Sequence, residues 1–356
     1  MIDYRSKTLD ELEQLIRSWG EAAFRAKQLF KWLWKPGLSD FHDITDLPKA
    51  LRERLALEGF LYRLDMAGMA ASRSDNTCKW AFRLFDGKII ETVLIPGSNH
   101  TTLCVSSQAG CAMGCRFCKT GTMGFSRNLL PSEIVGQVLS VMEQTEQEIW
   151  PRNLVFMGMG EPLANFENVV SAIKILTHQL GLNFSTRRVT VSTCGLVPEI
   201  VRLGRTTSAG LAISLHATTD ELRNRLMPVN KRYPLKQLME ACRKFEMPRR
   251  RRITFEYIVL GGINHSRQDA KRMARLLNGI PSKINLIPYN KVNGISFREP
   301  TNQELHSFQE HLAKKGFTAI IRKSRGKDIE AACGQLWSKI NKKIVNDKKL
   351  SMAILD

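Results

Sequence analysis

Cys111-Ala-Met-Gly-Cys115-Arg-Phe-Cys118 puts three thiols on one short stretch, three and then two residues apart. Zinc and iron–sulfur sites are normally saturated by four protein ligands. A tight triple with no neighbouring fourth Cys or His therefore reads as a cluster with one iron left open, where a small molecule can bind and react. A zinc site and three core cysteines are the alternatives. The second chemical signal is Gly158-Met-Gly160-Glu161-Pro-Leu163. Glycines let the backbone approach a ligand closely, and exposed carbonyls beside a carboxylate suit the ammonium of a bound amino acid. A Gly-rich loop can also bind phosphate, which the Glu disfavours. Cys104 lies seven residues before the triad, and Cys333 lies among small, Gly-containing neighbours that leave a sulfur accessible. Taken alone, each reads as a structural cysteine, as do Cys78, Cys194 and Cys242.

These residues need elements to hold them. Residues 1 to about 65 read as helices: Thr8 is an N-cap before an acidic first turn, and Leu29, Phe30 and Leu33 recur at helical spacing until Pro36-Gly37. The aromatic residues there fit a core, with Lys27 and Lys31 on a basic outer face. From about 66 to 100 the period becomes two, and Trp80–Phe85, the turn pair Asp86-Gly87 and Lys88–Pro96 read as a β-hairpin. Glu91 falls inside its second strand and, without further information, reads as an outward-facing residue. Strand-like runs then begin at Leu103, Asn153, Arg188, Leu211, Arg252, Lys283 and Phe317, with helical segments between. Such alternation implies parallel βα units with right-handed crossovers. Six or seven strands fall short of a closed barrel of eight, so the expected fold is α/β: an open, partial (β/α)6 barrel with a small N-terminal helical domain and a connecting β-hairpin. The expected divisions are 1–65 helical accessory, 66–100 hairpin, 101–340 barrel and 341–356 tail. In parallel α/β folds chemistry gathers at the C-terminal ends of the strands, where this sequence places the cysteine loop, the Gly158–Leu163 turn, Ser192, His216 and Asn290. A core role is the alternative for His216.

Lys and Arg number 53 against 34 Asp and Glu, a net charge of +19. That excess points to a polyanionic partner, most simply nucleic acid, and a generally basic, solvated surface is the alternative. The densest run is Arg249–Arg252, with Lys119, Arg127, Arg322, Lys323 and Arg325 as candidates nearer the cysteines. Eight cysteines are too few for a disulfide scaffold in a chain of 356 residues. With no long apolar run and no signal-peptide pattern at Met1-Ile-Asp-Tyr-Arg, a cytoplasmic protein without membrane attachment is expected.

The triad spacing, with an aromatic residue before its last Cys, resembles the radical S-adenosylmethionine (SAM) superfamily. Six ordered blocks narrow the likeness: Phe24-Arg-Ala-Lys-Gln-Leu-Phe30, Leu103-Cys104-Val-Ser-Ser-Gln-Ala-Gly-Cys111, Phe156-Met-Gly-Met-Gly-Glu-Pro-Leu163, Ser214-Leu-His216-Ala, Asn285-Leu-Ile-Pro-Tyr-Asn290 and Ala332-Cys333-Gly-Gln-Leu336. Together they resemble the RlmN/Cfr family of radical SAM RNA methyltransferases, from about residue 20 to 340. The resemblance implies a [4Fe–4S] cluster on Cys111, Cys115 and Cys118, with SAM chelating the open iron and held by Gly160, Glu161, Ser192, Ser214, Leu215, His216 and Asn290. It implies two SAM per turnover. Cys333 takes a methyl group from the first; a 5′-deoxyadenosyl radical from the second removes hydrogen from that S-methyl group, and the carbon radical adds to adenine. Cys104 resolves the protein–RNA adduct by attacking the Cys333 sulfur, leaving a disulfide, and Glu91 accepts the ring proton. The implied partners are 23S rRNA, tRNA and an electron donor such as flavodoxin or ferredoxin, with a monomer sufficient. Methylation at adenine C2 is the leading expectation. A C8 methyltransferase shares every block, and a noncatalytic iron–sulfur RNA-binding factor has no need of Cys104, Cys333 and Glu91.

Overall fold

The computed structural model describes residues 1–98, 100–292 and 294–336. The expected tail, 341–356, and the last residues of the expected barrel, 337–340, lie outside them.

The chain opens with three helices, α1 (Leu9–Ser18), α2 (Phe24–Leu33) and α3 (Lys49–Glu58). Thr8 and Glu11 form a reciprocal capping box that satisfies the first free amides of α1. Leu29, Phe30 and Leu33 are buried as their spacing requires, and Lys27 and Lys31 are exposed one turn apart. Arg5 fastens this unit from inside: its buried guanidinium donates to the carbonyls of Leu33, Leu38 and Tyr62. Burial lowers its pKa to about 10, a desolvation cost that the carbonyl bonds offset.

A ten-stranded sheet follows: β1 (Asp65–Ala71), β2 (Cys78–Arg83), β3 (Ile89–Pro96), β4 (Thr101–Cys104), β5 (Asn153–Phe156), β6 (Val189–Thr193), β7 (Gly210–Ser214), β8 (Ile253–Val259), β9 (Ser282–Pro288) and β10 (Ala319–Ile321). Each strand pairs with the one before it in sequence, β1 to β4 antiparallel and β4 to β10 parallel. The expected hairpin is β2–β3, and it continues the barrel sheet directly. Among the described residues six helical crossovers join the seven parallel strands, and β10 and β1 end the sheet without meeting. This is the partial (β/α)6 barrel that the alternation implied. Strand β8 shows how its two faces divide. Ile253, Phe255, Tyr257 and Val259 lie in the main hydrophobic core, whereas Ile258 packs in a second cluster with Phe117 of the cysteine loop and Tyr289. The alternate face, carrying Thr254, Glu256 and Ile258, is the inner wall of the barrel. No described helix is long and apolar enough to cross a membrane.

Candidate active site

The cysteine loop leaves the sheet at the end of β4. Residues Gln108–Gly110 pair with Phe125–Asn128, and the Cys111 N–H donates to the Gly124 carbonyl at 2.9 Å, which closes the intervening loop. Gly110 has φ 78°, and a Cβ there would lie 2.1 Å from the Gly124 oxygen, so the closure requires glycine. The loop is tied to the far side of the barrel where Arg116 N–H donates to Leu226 O at 2.9 Å. Cys111, Cys115 and Cys118 are half-buried free thiols. Burial pushes the Cys111 thiol up to about 12 and raises Cys115 and Cys118 as well; for Cys111 and Cys115 the neighbouring thiols and Glu161 add to it. Thiols whose ionisation burial and neighbouring negative charge oppose suit a cationic ligand, whose charge reverses that balance. Among the described residues no group of His, Cys, Asp and Glu is drawn in closely enough to hold a single metal ion. In a multi-iron cluster each of the three thiolates would bind its own iron.

The Gly158–Leu163 turn packs against this loop. Gly158 and Gly160 are obligatory, since a Cβ on the first would lie 2.7 Å from Val105 backbone and on the second, at φ 103°, 2.6 Å from Gln108 Cβ. Glu161 is buried, and its carboxylate accepts from Cys194 N–H at 2.8 Å and Leu163 N–H at 3.1 Å. It thus fastens the turn to the end of β6, while burial raises its pKa against these hydrogen bonds. Ser192 and Ser214 are half-buried on the inner wall. Leu215 has its side chain in the core and its N–H on Glu256 O at 3.0 Å. His216 adopts φ 56°; its Nδ1 accepts from Ile258 N–H at 3.0 Å, and its ring meets Phe117 edge-on at 4.7 Å. Burial, then Arg223, push it down to about 3, so the imidazole is neutral. Asn290 is buried; Nδ2 donates to Cys333 O at 3.3 Å while Oδ1 has no partner among the described residues. An orphaned buried acceptor beside the cysteine loop fits a ligand that brings a donor.

The Cys333 segment closes over this wall. On one side Gly326 N–H donates to Asp75 at 2.8 Å and Ser72 Oγ to Asp328 at 2.7 Å, both from the β1–β2 turn. On the other, Lys119 N–H donates to Gly334 O at 2.7 Å and Thr120 Oγ1 to Leu336 O at 2.9 Å. Cys333 keeps an exposed side chain, yet protein crowds it enough for desolvation, then Glu256, to raise its thiol to about 11. Exposure with crowding is the setting of a side chain on the wall of a cleft. Cys104 is buried, and burial, then Cys333, push its thiol far up. All eight cysteines are free, so the disulfide implied for Cys104 and Cys333 is not formed here. Glu91 faces inward and is buried, contrary to its bland reading as an outward strand residue; Lys79 Nζ lies 2.9 Å from its Oε1.

Several residues that organise the site have no role assigned from the sequence, Ser106 although it lies in the Leu103–Cys111 block. Ser106 Oγ donates to Glu91 O at 2.6 Å and accepts from Met159 N–H at 2.9 Å, and Gln137 binds both the N–H and the carbonyl of Ser106. Arg223, fully buried, donates to the carbonyls of Cys194, Ser214 and Leu215, gathering the ends of β6 and β7.

The basic candidates divide. Arg322 lies close enough to Cys333 to lower its thiol pKa against the other influences, and Lys323 and Arg325 are exposed on the same segment. Arg127 is instead bound by Asp86 and Glu133 through four hydrogen bonds of 2.8 to 3.2 Å. Arg249–Arg252 directly precedes β8, and Arg251 and Arg252 bond to Ser208, Thr186 and Thr318, all ahead of parallel strands. That run sits at the opposite end of the barrel from the cysteines.

The Radical SAM superfamily model matches residues 105–277, and that of the ribosomal RNA large subunit methyltransferase N-terminal domain matches 3–59. The chain is 52% identical over 341 residues to the dual-specificity RNA methyltransferase RlmN of Geobacter sulfurreducens, spanning 96% of this chain and 93% of that one. It is also 52% identical to the protein of the same name from Geotalea uraniireducens, over 96% and 98% of the two chains. A crystal structure of a radical SAM methyltransferase from Sphaerobacter thermophilus superposes with a TM-score of 0.88 at 42% identity, covering 95% of this chain and all of that one.

Proposed function

The chain belongs to the RlmN family of radical SAM RNA methyltransferases, and from that premise we propose that it methylates C2 of a specific adenosine in 23S rRNA and of the adenosine 3′ to the anticodon in tRNA. The observation that carries this reading is the docking of Cys333 over the inner wall, between the cysteine loop and Asn290, on the side where Cys104 ends β4. RNA binding alone needs no such convergence of thiols.

Cys111, Cys115 and Cys118 would hold the [4Fe–4S] cluster; Gly160, Glu161, Ser192, Ser214, Leu215, His216 and Asn290 would hold SAM. Together these groups would supply a 5′-deoxyadenosyl radical by one-electron cleavage, with an electron donor such as flavodoxin or ferredoxin. Within the SAM site, Glu161 fixes the Gly158–Leu163 turn by its main-chain bonds, leaving backbone carbonyls to meet the ligand. Neutral His216 adds no positive charge beside a sulfonium. Asn290 orients Cys333 through its carbonyl and keeps Oδ1 for a ligand donor.

Adenine C2 lies between two ring nitrogens and is electron-poor, so it does not attack a methyl sulfonium. The Cys333 sulfur would do so, with the sulfonium–methyl bond of one SAM breaking as the S–CH3 bond forms, and would carry that carbon to the ring; a second SAM would serve radical generation. Glu91 takes the ring proton, the Cys104 thiolate bonds to the Cys333 sulfur as the S–C bond breaks, the methylene left on the ring takes up a proton to become methyl, the one surplus electron returns to the one-electron donor, and an external two-electron reductant restores both thiols. The helical residues 1–65 serve as an RNA-binding accessory unit, 66–100 as its hairpin connection and 101–340 as the catalytic barrel. The enzyme works as a monomer in the cytoplasm.

Anaerobic reaction with 23S rRNA and tRNA, followed by mass spectrometry of the nucleosides, tests the reading. 2-Methyladenosine is expected in both, and 8-methyladenosine alone overturns the C2 assignment. Persistent absence of methionine and 5′-deoxyadenosine from SAM overturns catalysis altogether.

A further inference from the structure

Lys79, which no motif singles out, joins the two halves of the site. It lies opposite Val93 across β2 and β3, and Ala81, two residues on, lies opposite Glu91. Lys79 and Glu91 are therefore diagonal neighbours on one face of the sheet, within reach of a long side chain. Nζ is 2.9 Å from Glu91 Oε1, and only 12% and 4% of the two side chains are exposed. The same ammonium donates to the carbonyl of Glu330 at 3.2 Å. Glu330, three residues before Cys333, holds φ 52°, a left-handed conformation that a non-glycine residue keeps only where surrounding contacts impose it.

A carboxylate withdrawn from water stays charged only beside a partner, and a lysine ammonium supplies a point charge with three donors. Here one ammonium serves a carboxylate and the main chain of the arm at once. The Cys333 segment does not hang on this contact alone, since Asp75, Ser72, Lys119 and Thr120 also hold it. Lys79 is thus free to act on where Glu91 points relative to the arm.

We infer that Lys79 is a positioning residue for proton removal: by binding the Glu91 carboxylate and the Glu330 carbonyl together, it fixes the proton acceptor relative to the carbon carried by Cys333. This rests on Glu91 as acceptor and Cys333 as methyl carrier. In the step it serves, the C2–H bond breaks, the electron pair stays with the ring and the proton passes to Glu91. Lys79 itself exchanges neither proton nor electron.

The test compares Lys79→Met, Lys79→Arg and Glu91→Gln in the cluster-loaded enzyme, using an rRNA fragment carrying hydrogen or deuterium at the target C2. Three quantities are read by mass spectrometry: S-methylation of Cys333, formation of the covalent RNA adduct, and adduct breakdown. Lys79→Met should methylate Cys333 and form adduct as the unaltered enzyme does, but break the adduct down about tenfold more slowly or worse, with deuterium slowing it further. Lys79→Arg should recover most of the rate. Adduct breakdown at the unaltered rate in Lys79→Met overturns the inference, as does a loss of Cys333 methylation that Arg restores, since that places the effect in arm docking. If the Met variant does not fold, Lys79→Gln against Lys79→Arg gives the same comparison. Glu91→Gln separates the two levels: if it breaks down adduct normally, the acceptor reading itself fails, and if it stalls while Lys79→Met does not, only the role of Lys79 fails.

Discussion

Cys104 and Glu91 share one face of the sheet, because Cys104 pairs with Val93 across β3 and β4 and Glu91 lies two residues along β3 from Val93. Two-residue spacing keeps both side chains on the inner wall. The thiol proposed to release the product and the carboxylate proposed to deprotonate it are therefore neighbours by strand register, independent of any loop.

Replacing Cys333 by Ala should abolish methyl transfer to RNA and leave the visible absorbance of the cluster unchanged. The substitution removes the proposed methyl carrier and none of the three loop thiols. Loss of cluster absorbance would overturn that division of roles.

Cys104→Ala should permit methylation of Cys333 and then trap the enzyme on its substrate as a band of protein–RNA adduct in denaturing gels. A variant that turns over normally without adduct would make Cys104 a structural residue.

Arg127→Ala should destabilise the fold by about 3 kcal/mol, the cost typical of leaving a buried charge without its partner, because Glu133 is fully buried beneath the guanidinium. Urea unfolding measures this. Reduced RNA affinity at unchanged stability would instead return Arg127 to the binding surface.

His216 sets a pH dependence. Its folded pKa lies at about 3 against an ordinary 6.5, so in that window the unfolded chain binds a proton that the buried ring refuses, and stability falls as pH drops through it. His216→Asn keeps an acceptor for Ile258 N–H and tolerates the left-handed backbone. It should flatten the acid limb between about pH 6.5 and about 3 in urea titrations, and an unchanged slope would contradict the assignment.

Much of this architecture is legible in the sequence wherever the deciding pattern is local. The alternation from Leu103 to Arg322 announces the parallel sheet, and Trp80 to Pro96 announces β2–β3. Strand β1 escapes notice because Asp65-Met-Ala-Gly-Met-Ala-Ala has no β-branched residue and, at the sheet edge, is only half-buried. The motif residues are readable because glycine and cysteine carry their chemistry in their type. Lys79, Ser106, Gln137 and Arg223 are not, since their partners are set by register and tertiary packing. Arg127 and Arg249–Arg252 illustrate the converse: charge is visible in a sequence, but which end of a barrel it occupies, and whether a carboxylate already neutralises it, depend on the fold.

The strictly sequential strand order has a consequence for how the enzyme is made. Each strand emerging from the ribosome finds its partner already present, so the cysteine loop can be seated long before residue 333 is translated. The thiol proposed as methyl carrier arrives later, on a segment that docks on earlier-made structure at both ends. Vectorial synthesis thus places the seating of the cysteine loop ahead of the arrival of the thiol proposed to carry the methyl group.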